Sequence, residues 1–167
     1  EIHTALSMLE ESKRPCVLAG GGAVISNAHE ELAEFVEKLH APVCDTLMGK
    51  GAFNGEKPNY TGMLGMHGTK ASNLAVTRCD LLVVVGARFS DRVTGNTKRF
   101  AKDAKILQID IDPAEIDKNV KTTASVIGDI KTVLGILNRR LSGQSHPEWM
   151  EMVRELKETY PLTYRQD

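Results

Sequence analysis

Short apolar runs rich in β-branched residues alternate along the chain with stretches whose apolar residues recur every third or fourth position. The runs cover residues 15–19, 42–45, 81–86, 105–109 and 125–127. Between them, Leu32, Phe35, Val36 and Leu39 share one helical face, as do Ala71, Leu74 and Ala75. Ile130, Val133, Leu134, Leu137 and Leu141 make a third such stripe. Strand-like runs between helical stripes predict βαβ units and a parallel sheet. Val83, Val84 and Val85 do not alternate with polar residues, nor does the segment 109–111, which predicts central strands covered on both faces. The expected fold class is α/β: a three-layer sandwich around a mostly parallel sheet of five or six strands.

Boundary residues sharpen this outline. The first residues open directly into a helical pattern. Ser26 or Asn27 is expected to cap the helix that ends near His40, with Pro42 just beyond. Asp129 is expected to cap the helix running to Leu141. Residues 142–145 have linker composition, and 147–158 form a last amphipathic helix through Trp149, Met152, Val153 and Leu156. That helix either packs on this domain or starts a connector to another.

At 167 residues the chain has the size of one domain and can bury a core without staples. Lys and Arg number 21 against 22 Asp and Glu, so no generally basic nucleic-acid binder and no long charged tail is expected. The longest apolar run, 81–85, is far too short to cross a bilayer. Cys16, Cys44 and Cys79 are odd in number and form no C-x-x-C pair, so no disulfide or zinc framework follows from them. They are expected to act as small core hydrophobes in a reducing, cytoplasmic-type compartment. The sequence opens at Glu1 without a charged-then-apolar leader, as expected of a piece of a longer chain with no secretory signal.

In open parallel sheets, ligands sit beyond the carboxyl ends of the strands. The first run is followed by Gly20-Gly21-Gly22 and the second by Thr46-Leu47-Met48-Gly49-Lys50-Gly51. The third leads into Gly86-Ala87-Arg88-Phe89-Ser90-Asp91-Arg92. The fourth ends in Asp110-Ile111-Asp112-Pro113, with Glu115 close behind, and the fifth in Gly128-Asp129. Glycines let a pyrophosphate approach backbone N–H groups. Arg88 and Arg92 are fork donors matched to phosphate oxygens. Asp110 or Asp112 can accept from ribose or ribityl hydroxyls. Together these features describe a dinucleotide site.

Plainer readings stand beside each feature. The glycines after the first run can be only a turn, and a G-x-G-x-x-G match fails because position 25 is Ile25. Gly49-Lys50 is not a P-loop, since Cys44 stands where that motif needs glycine. Asp110 and Asp112 have no His or Cys nearby, so no metal site is expected. Asp112-Pro113 can simply open a turn, and His67 can shape its glycine-rich loop as well as do acid–base work. Lys98, Arg99 and Lys102 suit a solvated helix face. No set of nucleophile, base and orienting group stands out, so binding is expected, with no catalytic residue in this chain.

At these same residues the sequence closely resembles the central domain of the large, catalytic subunit of acetolactate synthase, a thiamine-diphosphate enzyme. The motifs are those after the first three runs together with Leu64-Gly65-Met66-His67-Gly68-Thr69, Val93-Thr94-Gly95, Asp110-Ile111-Asp112-Pro113-Ala114-Glu115-Ile116 and Gly128-Asp129. They cover about residues 14–141 in the family's order and spacing. The family usually has Asp-Asp after Gly-Ala-Arg-Phe, where this chain has Ser90-Asp91.

The resemblance implies a Rossmann-like middle domain over 1–141 that binds FAD structurally. Residues 142–167 would be a linker and helix leading towards a missing thiamine-diphosphate domain. It implies Gly20, Gly21 and Gly22 against the diphosphate–ribityl region. Thr46, Leu47, Met48, Leu64, Gly65, Met66 and His67 would line the extended flavin, a wall continued by Gly86, Ala87, Arg88, Asp91, Arg92 and Val93. Asp110, Ile111 and Glu115 would hold the adenosine end, with Gly128, Asp129 and Ile130 beside the adenine. Met66, Asp91 and Arg92 match positions that also border the channel to the active site, where herbicides bind.

The parent enzyme implied by the resemblance joins two pyruvates, or pyruvate and 2-oxobutyrate, with loss of CO2, in branched-chain amino-acid synthesis. Thiamine diphosphate and Mg2+ would belong to the first and third domains of the same subunit. A homodimer or tetramer and a small regulatory subunit would be its partners, with no nucleic acid or membrane. The family's Gly-Asp-Gly…Asn-Asn motif is not in this chain, because Gly128-Asp129 continues as Ile130. The isolated chain is therefore expected to lack synthase activity. The alternatives are the middle domain of another thiamine-dependent oxidase or decarboxylase, a free-standing NAD-binding dehydrogenase domain, or a regulatory nucleotide-binding or purely scaffolding module.

Overall fold

A computed structural model describes residues 1–88, 101–117 and 121–161. Six parallel strands form one sheet: β1 (Pro15–Ala19), β2 (Val43–Asp45), β3 (Tyr60–Met63), β4 (Leu81–Val85), β5 (Lys105–Asp110) and β6 (Ala124–Ile127). Their spatial order is β3-β2-β1-β4-β5-β6. Among the described residues, six α-helices accompany them: α1 (Ile2–Glu11), α2 (Gly21–Ile25), α3 (His29–Leu39), α4 (Lys70–Arg78), α5 (Ile130–Arg140) and α6 (Pro147–Thr159).

The period-2 geometry of the central strands divides the core into two faces. Val17, Ala19, Val83, Val85, Leu107 and Ile109 point to one side, packing with Leu9 of α1, Phe35 of α3 and Leu134 of α5. Cys16, Leu18, Leu82, Val84 and Ile106 point to the other, against Val76 of α4 and Trp149 and Val153 of α6. This is the expected three-layer sandwich. Each fully buried Leu, Ile or Val contributes roughly 1.5–3 kcal/mol of transfer free energy, so both faces hold the sheet.

Several local expectations are met and others are corrected. Asp129 caps α5, its carboxylate accepting from Thr132 N at 3.0 Å. Thr69 caps α4 in the same way. Neither Ser26 nor Asn27 caps α3, whose N-cap is Ala28 without a side-chain bond. The reason is α2, a short helix whose C-cap is Ser26; Asn27 then takes a left-handed φ of 56° to redirect the chain. β3 is a strand the hydrophobic pattern did not show, because Gly62, at φ 107°, interrupts it and a bulge shifts its pairing to β2. The segment 109–111 is not continuous strand: β5 stops at Asp110, and Ile111 turns out, 66% exposed.

The last helix packs on the sheet. Trp149, Val153 and Leu156 are buried, and the Trp149 indole donates to Pro15 O at 2.8 Å. All three cysteines are free and buried. Burial raises the Cys16 and Cys79 thiols, with hydrogen bonding to Cys44 the larger cause at Cys16. No described helix is long and apolar enough to cross a membrane.

Candidate functional site

The strand order reverses between β1 and β4, so their carboxyl ends open the crevice where ligands bind in doubly wound sheets. Residues 20–22 leave one side of it and residues 86–88 the other. The two loops are stitched together: Gly20 N donates to Val85 O and Gly22 N to Gly86 O, both at 2.9 Å. A Cβ on Gly20 would lie 2.3 Å from Ala87 Cα, and one on Gly22 2.9 Å from Gly86 Cα. Gly86 itself has φ +64°. Close approach of two backbones therefore already requires Gly20, Gly22 and Gly86. Gly21 differs, since its hydrogen faces Met48 Cβ, 3.1 Å from an ideal Cβ.

Next along the rim, Thr46 N donates to Ala19 O at 3.0 Å, and Thr46 Oγ1 accepts from Gly49 N at 3.1 Å. This turn pushes Leu47 and Met48 into solvent, 68% and 75% exposed. The loop after β3 is held from behind by Asn73 of α4, whose amide donates to Gly65 O and Thr69 O, both at 2.9 Å. Leu64 is buried beneath this loop, whereas Met66 and His67 face outward. Asn73 escaped the sequence reading because a lone Asn on a helix carries no motif.

On the far side of the crevice, Ala87 is buried and the Arg88 side chain is largely exposed, its Nε 3.8 Å from Glu115 Oε1. Asp110 is buried, accepts from Asp112 N at 3.0 Å, and has its pKa raised chiefly by desolvation. Asp112 caps a 3-10 turn over Pro113–Glu115, the turn expected of Asp-Pro. Glu115 O accepts from the buried Gln108 amide at 3.2 Å. Gly128 N donates to Asp110 O, which ties the β6 loop to this end. The Ile130 side chain lies in the core, so only its backbone faces the rim. Asp91, Arg92 and Val93 lie outside the described residues, as do Lys98 and Arg99.

Five of the six exposed large hydrophobic side chains among the described residues are Ile25, Leu47, Met48, Met66 and Ile111. All five follow the carboxyl ends of strands. Such clustering marks a surface that something else covers. Ile25 was not a sequence candidate; its signal was only its place where a dinucleotide fingerprint needs glycine. The rim thus pairs apolar side chains at the β2–β3 end with Arg88, Asp110 and Glu115 at the β4–β5 end. With strands about 4.8 Å apart, six of them span roughly 24 Å, room for two ring systems joined by a phosphate bridge. Among the described residues, no group of His, Cys, Asp and Glu is arranged to hold a metal ion.

Asp45 was also missed. It is 1% exposed at the end of β2, and Tyr60 Oη donates to its Oδ2 at 2.9 Å. Its Oδ1 is buried without a hydrogen-bond partner. Desolvation raises the carboxyl to about 6, opposed by the Tyr60 hydrogen bond and the nearby Lys50 charge.

These features define an open doubly wound α/β domain with a crevice at its switch point. The chain belongs to the thiamine pyrophosphate enzyme central-domain family, which it matches over residues 2–137. It is 51% identical over 160 residues to the probable acetolactate synthase large subunit of Methanocaldococcus jannaschii, covering 94% of this chain and 27% of that protein. It is 45% identical over 174 residues to the acetolactate synthase large subunit of Cyanidium caldarium, covering 100% of this chain and 30% of that protein. To the acetolactate synthase large subunit of Parasynechococcus marenigrum it is 45% identical over an alignment of 166 residues, covering 97% of this chain and 27% of that protein. The chain thus spans less than a third of the length of these curated relatives.

Proposed function

We propose that this chain is the middle domain of an acetolactate synthase large subunit and that its carboxyl-end rim holds FAD. The observation that carries the reading is the rim itself: an apolar end, a stitched glycine crevice and an Arg–acid end along one line. Leu47, Met48 and Met66 are exposed as a ring system would require, with Leu64, Gly65 and His67 shaping the loop beneath. Gly21 and Arg88 lie where a diphosphate would cross, beside Gly20, Gly22, Gly86 and Ala87. Asp110 and Glu115 can accept from ribose hydroxyls, with Ile111, Gly128, Asp129 and Ile130 N at the adenine end. Asp91, Arg92 and Val93 extend the proposed wall on the family resemblance alone.

In this role FAD is a structural ligand and supplies no net redox chemistry. This chain's residues bind and orient it and exclude water from its rings. Thiamine diphosphate and Mg2+ belong to the parts of the parent subunit outside this chain, as do the groups that join two pyruvates. The oligomer, the small regulatory subunit and a cytoplasmic setting belong to the same proposal. The isolated chain makes no acetolactate above a mock-purified control.

At 18.3 kDa the chain suits amide NMR. Adding FAD shifts the amides of residues 20–22, 46–48 and 86–88. Shifts confined to the opposite, amino end of the sheet would overturn the assignment.

A further inference from the structure

Residues 54–57 form a tight turn before the amino end of β3, at the end of the sheet remote from the rim. Lys57 N donates to Asn54 O at 3.1 Å, and Glu56 N donates to the side-chain oxygen Asn54 Oδ1 at 2.9 Å. Asn54, Gly55 and Glu56 are all exposed. Among the described residues, nothing accepts a hydrogen bond from Gly55 N or from Asn54 Nδ2.

We infer that Asn54 is a site of spontaneous covalent modification, where Gly55 N attacks the Asn54 side-chain carbonyl and water opens the resulting cyclic imide to aspartate or isoaspartate. The bond formed joins Gly55 N to Asn54 Cγ and closes a five-membered ring. The bond broken is Cγ–Nδ2. The Gly55 proton passes to solvent base, and Nδ2 takes a proton from solvent and leaves as ammonia. Water then cleaves the imide at either carbonyl. Opening at Cγ gives aspartate; opening at the backbone carbonyl gives isoaspartate, whose main chain runs through Cβ and Cγ. Water is the one co-reactant, and nothing is oxidised or reduced.

Three features of the turn favour this step. Gly55 has no Cβ to hinder its nitrogen or to restrict the rotation that brings it onto Cγ. The Glu56 N–H is aimed at Oδ1, the atom on which negative charge develops as the nitrogen adds. Exposure lets solvent take the proton and supply the water. The other described asparagines lack this combination. Ala28 N, after Asn27, donates to Ala23 O at 3.1 Å. Tyr60 N, after Asn59, donates to Lys57 O at 3.1 Å, and Asn59 Nδ2 donates to Ala41 O at 2.9 Å. Asn73 and Asn138 lie inside α4 and α5, their side-chain amides donating to Gly65 O and Thr69 O and to Glu31 O. Asn54-Gly55 is also the sole Asn-Gly pair in the sequence.

The change adds a carboxylate to a pocket of about 310 Å³ that Asn54 lines with Glu37, Lys57 and Pro58. The iso form also adds one carbon to the main chain of a turn that leads into β3. The rim, at the opposite end of the sheet, is untouched.

The folded chain is incubated in mildly alkaline heavy-oxygen water, digested in ordinary water and read by peptide mass spectrometry. Product that carries the label formed during the incubation. The expected result is labelled conversion of Asn54 at least about tenfold faster than of Asn27 or Asn59. Isoaspartate at position 54 is expected among the products, detected with an isoaspartyl methyltransferase. Gly55→Ala slows the conversion about tenfold. That variant keeps the fold, because an ideal Cβ there lies 3.5 Å from the Tyr60 ring and Gly55 has no positive φ. Labelled conversion of Asn54 no faster than of Asn27 and Asn59, a product free of isoaspartate, or an unchanged rate in Gly55→Ala would overturn the assignment. If Gly55→Ala does not fold, the wild-type comparison of Asn54 with Asn27 and Asn59 decides alone.

Discussion

Replacing Asp45 with Asn tests the electrostatics at the end of β2. Asp45 is buried, one of its oxygens has no hydrogen-bond partner, and desolvation lifts its carboxyl to about 6. A folded-state pKa above the unfolded value means the fold prefers the protonated acid. The contribution is full below about 3.9 and is lost as pH rises through 6. The gap between the ordinary 3.8 and about 6 corresponds to ~3 kcal/mol. Relaxation of the fold around the buried charge lowers the working figure to ~1–2 kcal/mol. Asn keeps an oxygen for the Tyr60 hydroxyl and removes the buried charge. Urea unfolding followed by far-UV circular dichroism, on both proteins at each pH, isolates this one group. The variant should gain on the wild type by that amount between about pH 4 and pH 7. A stability difference that stays constant across the range, or that moves against the variant as pH rises, would refute the reasoning.

Other substitutions probe the remaining links. Gly20→Ala drives a methyl into the Gly86–Ala87 backbone, so thermal melting should show a loss of roughly 3 kcal/mol or more, or no folded protein. Asp129→Ala removes the carboxylate that accepts from Thr132 N; chemical denaturation should show about 1 kcal/mol lost. Asn73→Ala frees the loop at Gly65 and Thr69, and should weaken FAD binding several-fold in a titration while costing only about 1–2 kcal/mol of stability.

How much was legible in the sequence varies with the physics of each element. β1 and β4 carry continuous apolar runs because helices cover both faces, and that demand is written in their residues. The Asp129 cap was legible because its bond is local, three residues ahead. β3 was not, since Gly62 breaks its pattern and its pairing with β2, not its composition, makes it a strand. The α3 start was misplaced because α2 consumes Ser26 as its own end. The rim was legible as a set of loops, but the roles of its glycines were not. Gly20 and Gly22 are fixed by the backbone of Gly86 and Ala87, far along the chain, a contact that no local motif encodes. The same holds for the Asp45–Tyr60 pair, joined only by tertiary folding.

The central claim is that the rim selects a flavin dinucleotide. A titration of the purified chain with FAD, followed by flavin fluorescence, tests it most directly, with NAD and ADP run alongside. Saturable binding of FAD that neither NAD nor ADP displaces at comparable concentration, and that weakens in Arg88→Ala and Asp110→Asn, is the expected result. Equal binding of all three, or FAD binding unaffected by both substitutions, would contradict it.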